Sequence, residues 1–302
     1  MEKKATVGGQ AVIEGVMMRG SKGLATAVRL PNGEIEVKKE SSESLTKKNK
    51  FLGLPIIRGF VSLIESLVIG LKSLEFSASF FEDDDETESK FDKWFDKTFK
   101  DKGSSVLMGI SLVISLTFAV LLFFILPTVL TSVVKKTITA NVIALNVVEG
   151  LIRVIIFLAY IFLVGKLEDI KRVYQYHGAE HKTIFCYESG IELTPENAKK
   201  FGRLHPRCGT NFLFLVMVIS IIIFSFTGWQ SIGQRVVSRI LLLPVVSGVT
   251  YEVIKWLGKS DSKISKIIAW PGLLLQKITT QEPDESMLEV AITSLKAAEG
   301  LE

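Results

Sequence analysis

Along the 302 residues, apolar positions gather into four long runs separated by charged stretches. Residues 106–134 carry no charge, and that length of helix crosses ~30 Å of hydrocarbon. Pro127 marks a kink in this run or its end, and Lys135-Lys136 stop it. The second run, 147–165, holds Glu149 and Arg153 four apart, on one face of a helix. They read either as an intrahelical pair near the helix end or as an intramembrane contact facing a bundle. Residues 211–227 and 240–257 complete the set, with Pro244 and Gly248 inside the last and Glu252 near its end. The pattern predicts a mainly α polytopic membrane protein with four transmembrane helices. Amphipathic interfacial helices, a small N-terminal β unit and a cytoplasmic cap are expected to complete it.

The polar remainder sets the domain boundaries. Residues 1–50 are Gly-rich, and two extended runs, 24–30 and 34–40, flank Pro31-Asn32-Gly33. Asn-Gly between such runs signals a β-hairpin, because both residues tolerate positive φ. A charged linker, 41–50, follows. In 51–103, residues 55–81 predict an amphipathic helix at the interface or against the bundle. Arg58, Glu65 and Lys72 line one face of it, and Phe60, Leu63, Ile64, Leu67, Val68 and Leu71 fill the rest. The run Glu82-Asp83-Asp84-Asp85-Glu86 reads as a solvated acidic linker without the glycine and spacing of a calcium loop. Residues 104–278 form the membrane domain, including a loop at 166–209 and a short amphipathic helix at 264–275. Residues 279–302 supply a C-terminal cytoplasmic helix, predicted over 283–298 with Pro283 in its first turn.

Composition agrees: 48% of residues are hydrophobic, and the net charge of +4 matters less than where it falls. Lysine and arginine number ten in 1–50, eight in 166–209 and six in 255–302; the other side has Lys135, Lys136, Arg235 and at most Arg239. The positive-inside rule therefore predicts a multi-pass cell-membrane protein with both termini and the 166–209 loop in the cytoplasm. No apolar run follows the first charges, so no cleavable signal peptide is expected. Basic residues flank apolar runs, which favours the lipid bilayer over nucleic acid as partner. The substrate or protein partner and the oligomeric state are not legible. Two cysteines make no disulfide framework, and the cytoplasm would keep both reduced.

Candidate chemistry is concentrated in one stretch. The chain has three histidines: His177 and His181 stand four apart, and His205 precedes Cys208 by three. A helix continuing from the second span to about residue 186 would put His177 and His181 on one face, able to reach one ion. His-x-x-Glu-His is the order of the inverted zincins, in which Glu180 would take a proton from water. Thr194 and Pro195 predict the cap and first position of a short helix leading back to His205 and Cys208. The expected cofactor is a divalent metal, zinc by its donor set. His177, His181, His205 and Cys208 could close a structural site. Alternatively three of them could bind while Glu180 acts as a catalytic base. The third reading is capping and hydrogen-bonding histidines with no metal. Glu14, among glycines, could line the site or be a turn acid. Glu252 could serve the site or pair with Lys255. Cys186 reads as packing, and Tyr174 and Tyr176 suit the headgroup level. The functions that follow are a metal-dependent hydrolase of protease or amidase type at the cytoplasmic membrane face, or a non-catalytic scaffold or membrane-protein assembly factor with structural zinc.

Five segments carry a resemblance: GGQAVIEGVMMRG (8–20), YQYHGAEHKTIFCYE (174–188), LHPRCGTNF (204–212), VSGVTYE (246–252) and TTQEPD (279–284). Together they resemble the YqhQ-like family of bacterial membrane proteins, a domain-of-unknown-function family described as predicted metal-dependent enzymes. The likeness runs across nearly the whole chain. It implies that Glu14, Glu252 and the segment 279–284 are motif positions, and it implies no particular substrate or reaction.

Overall fold

The computed structural model describes residues 7–41, 44–81, 103–135, 141–228, 231–257, 260 and 262–301. The acidic run 82–86 and Lys136 lie outside them. The chain divides into two compact units, Met1–Phe81 with Ala159–Ser220 and Leu241–Glu302, and Glu82–Leu158 with Ile221–Ile240.

The first unit contains a four-stranded antiparallel sheet in sequential order: β1 (Gly8–Val12), β2 (Gly15–Arg19), β3 (Leu24–Arg29) and β4 (Ile35–Glu40). The expected hairpin is present, with Arg29 paired to Ile35 and Gly33 at φ +90°. Side chains alternate across the sheet. Val16, Met18, Ala25 and Ala27 join Tyr176, Ala179, Leu288, Ala291 and Leu295 in one core. They belong to the helices here called α6 (Glu168–Glu188) and α11 (Glu285–Glu299). The opposite face meets α2 (Ile57–Ala78), where Thr26 faces Ser73 at 3.5 Å. Both faces are thus covered, which is why all of β2 but Arg19 is buried.

Four expectations are corrected here, at the 41–50 linker, at Tyr176 and at the starts of two helices. The large apolar side chains of α2 do not make its packed face. Gly59, Gly70, Ser73 and Ser77 are its buried positions, while Ile64, Leu67, Val68 and Leu71 are exposed. Small residues allow close approach, and a Cβ on Gly70 would meet the Gln10 amide. The linker 41–50 contains a short helix, α1 (Leu45–Lys48), capped by Ser44. Tyr176 is not at a headgroup level but in the core, 1% exposed. The second apolar helix does not run on to residue 186. Leu167 is extended (ψ 136°), and α6 starts afresh with Glu168 and Asp169 in its first turn, where acids complement the helix dipole. The C-terminal helix starts at Glu285 with Asp284 as its cap, so Pro283 stands just before the helix.

Among the described residues three helices are long and apolar enough to cross a membrane: Gly109–Val134, Val142–Val164 and Gly233–Leu257. The first combines α3 (Gly103–Val120), a π-helical turn at Leu121–Ile125 and α4 (Leu126–Val134). The others are α5 (Val142–Val164) and α9 (Ile232–Leu257), the latter starting well before residue 240. The fourth run, α8 (Gly209–Ser225), is apolar but shorter. Thr194 caps α7 (Pro195–Ala198) as expected, and α10 (Lys263–Thr279) continues four residues past 275.

Within the second unit, Pro127 explains the π-turn. A proline has no N–H for the carbonyl four residues back. That carbonyl, of Phe123, accepts from Arg153 Nε at 2.8 Å.

Candidate functional site

Helix α6 presents His177 and His181 one turn apart, their rings 4.4 Å between centroids. Cys208 approaches from the residue just before α8. One ligand atom from each of the three residues lies within 4.8 Å of those of the other two.

The backbone fixes what each imidazole offers. His177 Nδ1 faces the Thr279 carbonyl at 2.9 Å, and His181 Nδ1 the Arg203 carbonyl at 2.5 Å. A carbonyl only accepts, so both Nδ1 atoms donate, which in the neutral ring places the lone pair on Nε2. His177 Nε2 meets the Cys208 sulfur at 3.1 Å. His181 Nε2 is buried and has no aligned hydrogen bond among the described residues, with the Cys208 thiol as the side chain that acts on it. Burial lowers the His181 pKa, favouring the neutral ring that a metal takes. The Cys208 sulfur also accepts from the Thr210 N–H at 3.4 Å.

Glu180 lies outside this triangle. It is 5% exposed and sits against β1, where a Cβ on Gly9 would come within 3.0 Å of its carboxyl carbon. Burial pushes its pKa up to about 7, against the opposing pull of His177 and the Gly9 N–H. His205 is beside the triangle rather than in it. Its ring is 5.6 Å from that of His181 and 4.5 Å from that of Phe185. Its Nδ1 accepts from the Arg207 N–H at 3.3 Å, and its Nε2 is 3.8 Å from Glu188. Burial alone would raise the Glu188 pKa, but His205 and Arg207 hold it below the usual carboxylate value. A cavity of about 330 Å³ opens here, lined by Phe185, Glu188, His205, Arg207 and Lys266 among others.

The two remaining acids lie elsewhere. Glu14 occupies the β1–β2 turn at φ +48° and takes Arg172 and the Tyr176 hydroxyl. Glu252 pairs with Arg58 of α2, a partner that sequence spacing could not suggest. Cys186 is fully buried in the core, as expected.

Several residues that build the site escaped the sequence reading. Gln276 clamps His205, accepting from its N–H at 2.7 Å and donating to its carbonyl at 2.8 Å. Segment 279–284 crosses α6 at Gly178, where a Cβ would run into the Gln281 carbonyl. It supplies Thr279 to His177, while Lys182 pairs with its Glu282 at 2.9 Å. Residues about a hundred positions apart meet here, and only the TTQEPD resemblance pointed to the segment.

No solved structure matches the chain. Over 293 residues it is 35% identical to "Uncharacterized protein YqhQ" of Bacillus subtilis (strain 168), covering 95% of this chain and 90% of the relative. Residues 54–300 match the family described as Protein of unknown function (DUF1385). With that match over most of its length, the chain belongs to the DUF1385 family.

Proposed function

We propose that the protein is a metal-dependent hydrolase at the cytoplasmic face of the membrane, with zinc held by His177, His181 and Cys208. One observation carries this reading: two Nε2 lone pairs and a thiol converge while the Nδ1–H groups behind them are committed to carbonyls. That is how ligand histidines are oriented in metal sites, and the His181 Nε2, with no aligned donor among the described residues, is an acceptor awaiting a partner. Two nitrogens and one sulfur suit zinc, and three protein ligands leave the open position that catalytic sites keep. Bound there, the ion would supply Lewis acidity. Glu180, one residue before a ligand and free of any cationic side-chain partner among the described residues, is the group to receive a proton from water. His205 would hold substrate at the edge of the 330 Å³ cavity, with Arg207 and Lys266 favouring an acidic group there.

In this reading α8 is a fourth span. Its 17 residues give ~26 Å of helix, slightly less than the hydrocarbon core. The excess of lysine and arginine in 1–50, 166–209 and 255–302 supports cytoplasmic termini and a cytoplasmic site.

The second reading is a scaffold or assembly factor with structural zinc. It is favoured by the position of Glu180 outside the ligand triangle, against Gly9 of the sheet. A closed four-ligand site, however, needs His205 to leave Glu188 and the Arg207 N–H.

Metal analysis of full-length protein purified without chelator tests both readings. About one zinc per chain, lost in His177→Ala and Cys208→Ala, is expected. No stoichiometric metal in the wild type would sink them. Glu180→Gln then separates them: the hydrolase reading expects metal retained and cellular function lost. Metal and function both retained would leave the scaffold.

A further inference from the structure

The second unit holds an ionic cluster that the metal site does not use. Glu149 on α5 is fully buried, and Arg153, Arg235 and Arg239 around it are 8%, 3% and 2% exposed. All four belong to helices long and apolar enough to cross a membrane. The third such helix contributes Thr128 and Ser132.

Charges do not balance here. Arginine stays protonated in proteins, so among the described residues the Arg153 and Arg239 guanidiniums alone outnumber the one carboxylate, an excess of +1. Neighbouring sequence offers no further acid: Glu149 is the only Asp or Glu in residues 103–165 and 209–251. Hydrogen bonding is equally one-sided. Glu149 Oε1 accepts from Thr128 at 2.7 Å, from Arg153 at 3.2 Å and from Arg239. Its Oε2 accepts from Arg235 at 3.1 Å and Arg239 at 2.8 Å. Five donors on a group with about four lone-pair sites leave no room for more. Arg239 Nε, buried, has no acceptor among the described residues. The Phe224 ring takes part of the charge, with Arg153 and Arg239 at 5.8 and 5.4 Å from its centroid. A ring face offers no negative charge to cancel the excess.

A buried cluster with surplus charge and surplus donors fits an anion that can accept several N–H bonds at once. Guanidinium forks match tetrahedral oxyanions best. We propose that the Arg153, Arg235 and Arg239 guanidiniums around Glu149 bind a phosphate-type oxyanion. Depth suits such a ligand. Glu149 and Arg239 are each the eighth residue of their helices, about 10 Å from the helix start. Helices of 23 and 26 residues span about 35 and 39 Å, more than a hydrocarbon core of ~30 Å. The cluster therefore sits within reach of a phospholipid headgroup or of phosphate from water.

The test uses full-length protein in nanodiscs. One sample contains phosphatidylcholine alone, one contains added phosphatidylglycerol, and one contains phosphatidylcholine with inorganic phosphate against chloride at equal ionic strength. A rise of several degrees in Tm is expected in at least one of the two anion samples. A rise with phosphatidylglycerol only assigns the site to a lipid headgroup; a rise with inorganic phosphate assigns it to the free ion. Arg239→Gln should remove at least half of the shift and weaken phosphate binding about tenfold. If Arg239→Gln does not fold, Arg239→Lys, which keeps the charge but loses the fork, should weaken binding similarly. Equal wild-type Tm in all samples would overturn the proposal. So would a shift that is undiminished in the Arg239 variant, which would place the anion elsewhere.

Discussion

The His177–His181–Cys208 triangle and the Glu149 cluster are both buried polar groups with unmet demands, of opposite sign. At the triangle the shortage is of donors: two Nε2 lone pairs face one thiol, and His181 Nε2 has no aligned donor among the described residues. At the cluster the shortage is of acceptors: Arg239 Nε has a proton and no acceptor among the described residues. Burial makes either shortage costly, because a polar group removed from water needs a replacement partner. The orphaned atom therefore reports the chemistry of the missing partner, a cation in one unit and an anion in the other. Charge alone would not have made the distinction, since formally neutral groups can form the triangle.

The largest expected effect breaks the anionic half of the cluster. Glu149→Gln removes the one carboxylate that three guanidiniums share and should destabilise the protein by about 3–5 kcal/mol, measured by denaturation in detergent. Loss under 1 kcal/mol would mean that the arginines are compensated by something other than Glu149. Next come the ligand variants. His177→Ala or Cys208→Ala should weaken zinc binding by roughly a hundredfold or more, read by competition with a chromogenic chelator. Neither should alter the Tm shift produced by phosphatidylglycerol. If chelation of zinc abolished that shift, the two sites would not be independent and the comparison would fail.

Gly178→Ala should have a smaller effect, and its sign is informative. In an exposed helix this change would stabilise by about 1 kcal/mol. Here the new Cβ meets the Gln281 carbonyl, backbone that cannot swing away like a side chain. A net loss of about 1–3 kcal/mol is expected, with zinc affinity falling as the Thr279 carbonyl behind His177 is displaced. An increase in Tm would show that segment 279–284 is not held against α6.

Which parts were legible in the sequence follows from the range of the interactions. Apolar runs and the Asn32-Gly33 hairpin are local patterns, so the helices and β3–β4 were readable. The spacing of His177 and His181 is local too, and it placed both rings on one face. His205 and Cys208 were grouped by a spacing of three, yet the Cys208 sulfur enters the triangle and the His205 ring turns to Glu188. Which way a loop side chain turns depends on distant groups such as Gln276, and no local pattern encodes that. The break before α6 was missed because Lys166 and Leu167 are ordinary helix formers. The acids at 168 and 169 were the available cue to a new helix start. Small residues on α2 were overlooked because glycine and serine carry no apolar signal. At a sheet already covered on its other side, close approach mattered more.

The smallest effect serves as the control on all the others. Gly33 sits at φ +90° in the β3–β4 turn, with open space where a Cβ would be. Gly33→Ala therefore adds no clash, only backbone strain of about 1 kcal/mol. The turn contributes no ligand atom to the triangle, and it belongs to a different unit from the Glu149 cluster. A slightly lower Tm with unchanged zinc affinity and an unchanged phosphatidylglycerol shift is expected. Should Gly33→Ala weaken zinc as much as Gly178→Ala does, metal binding would be tracking global stability. The carbonyl behind His177 would then have no special role in holding the metal ligand, and only the ligand variants would report on the site.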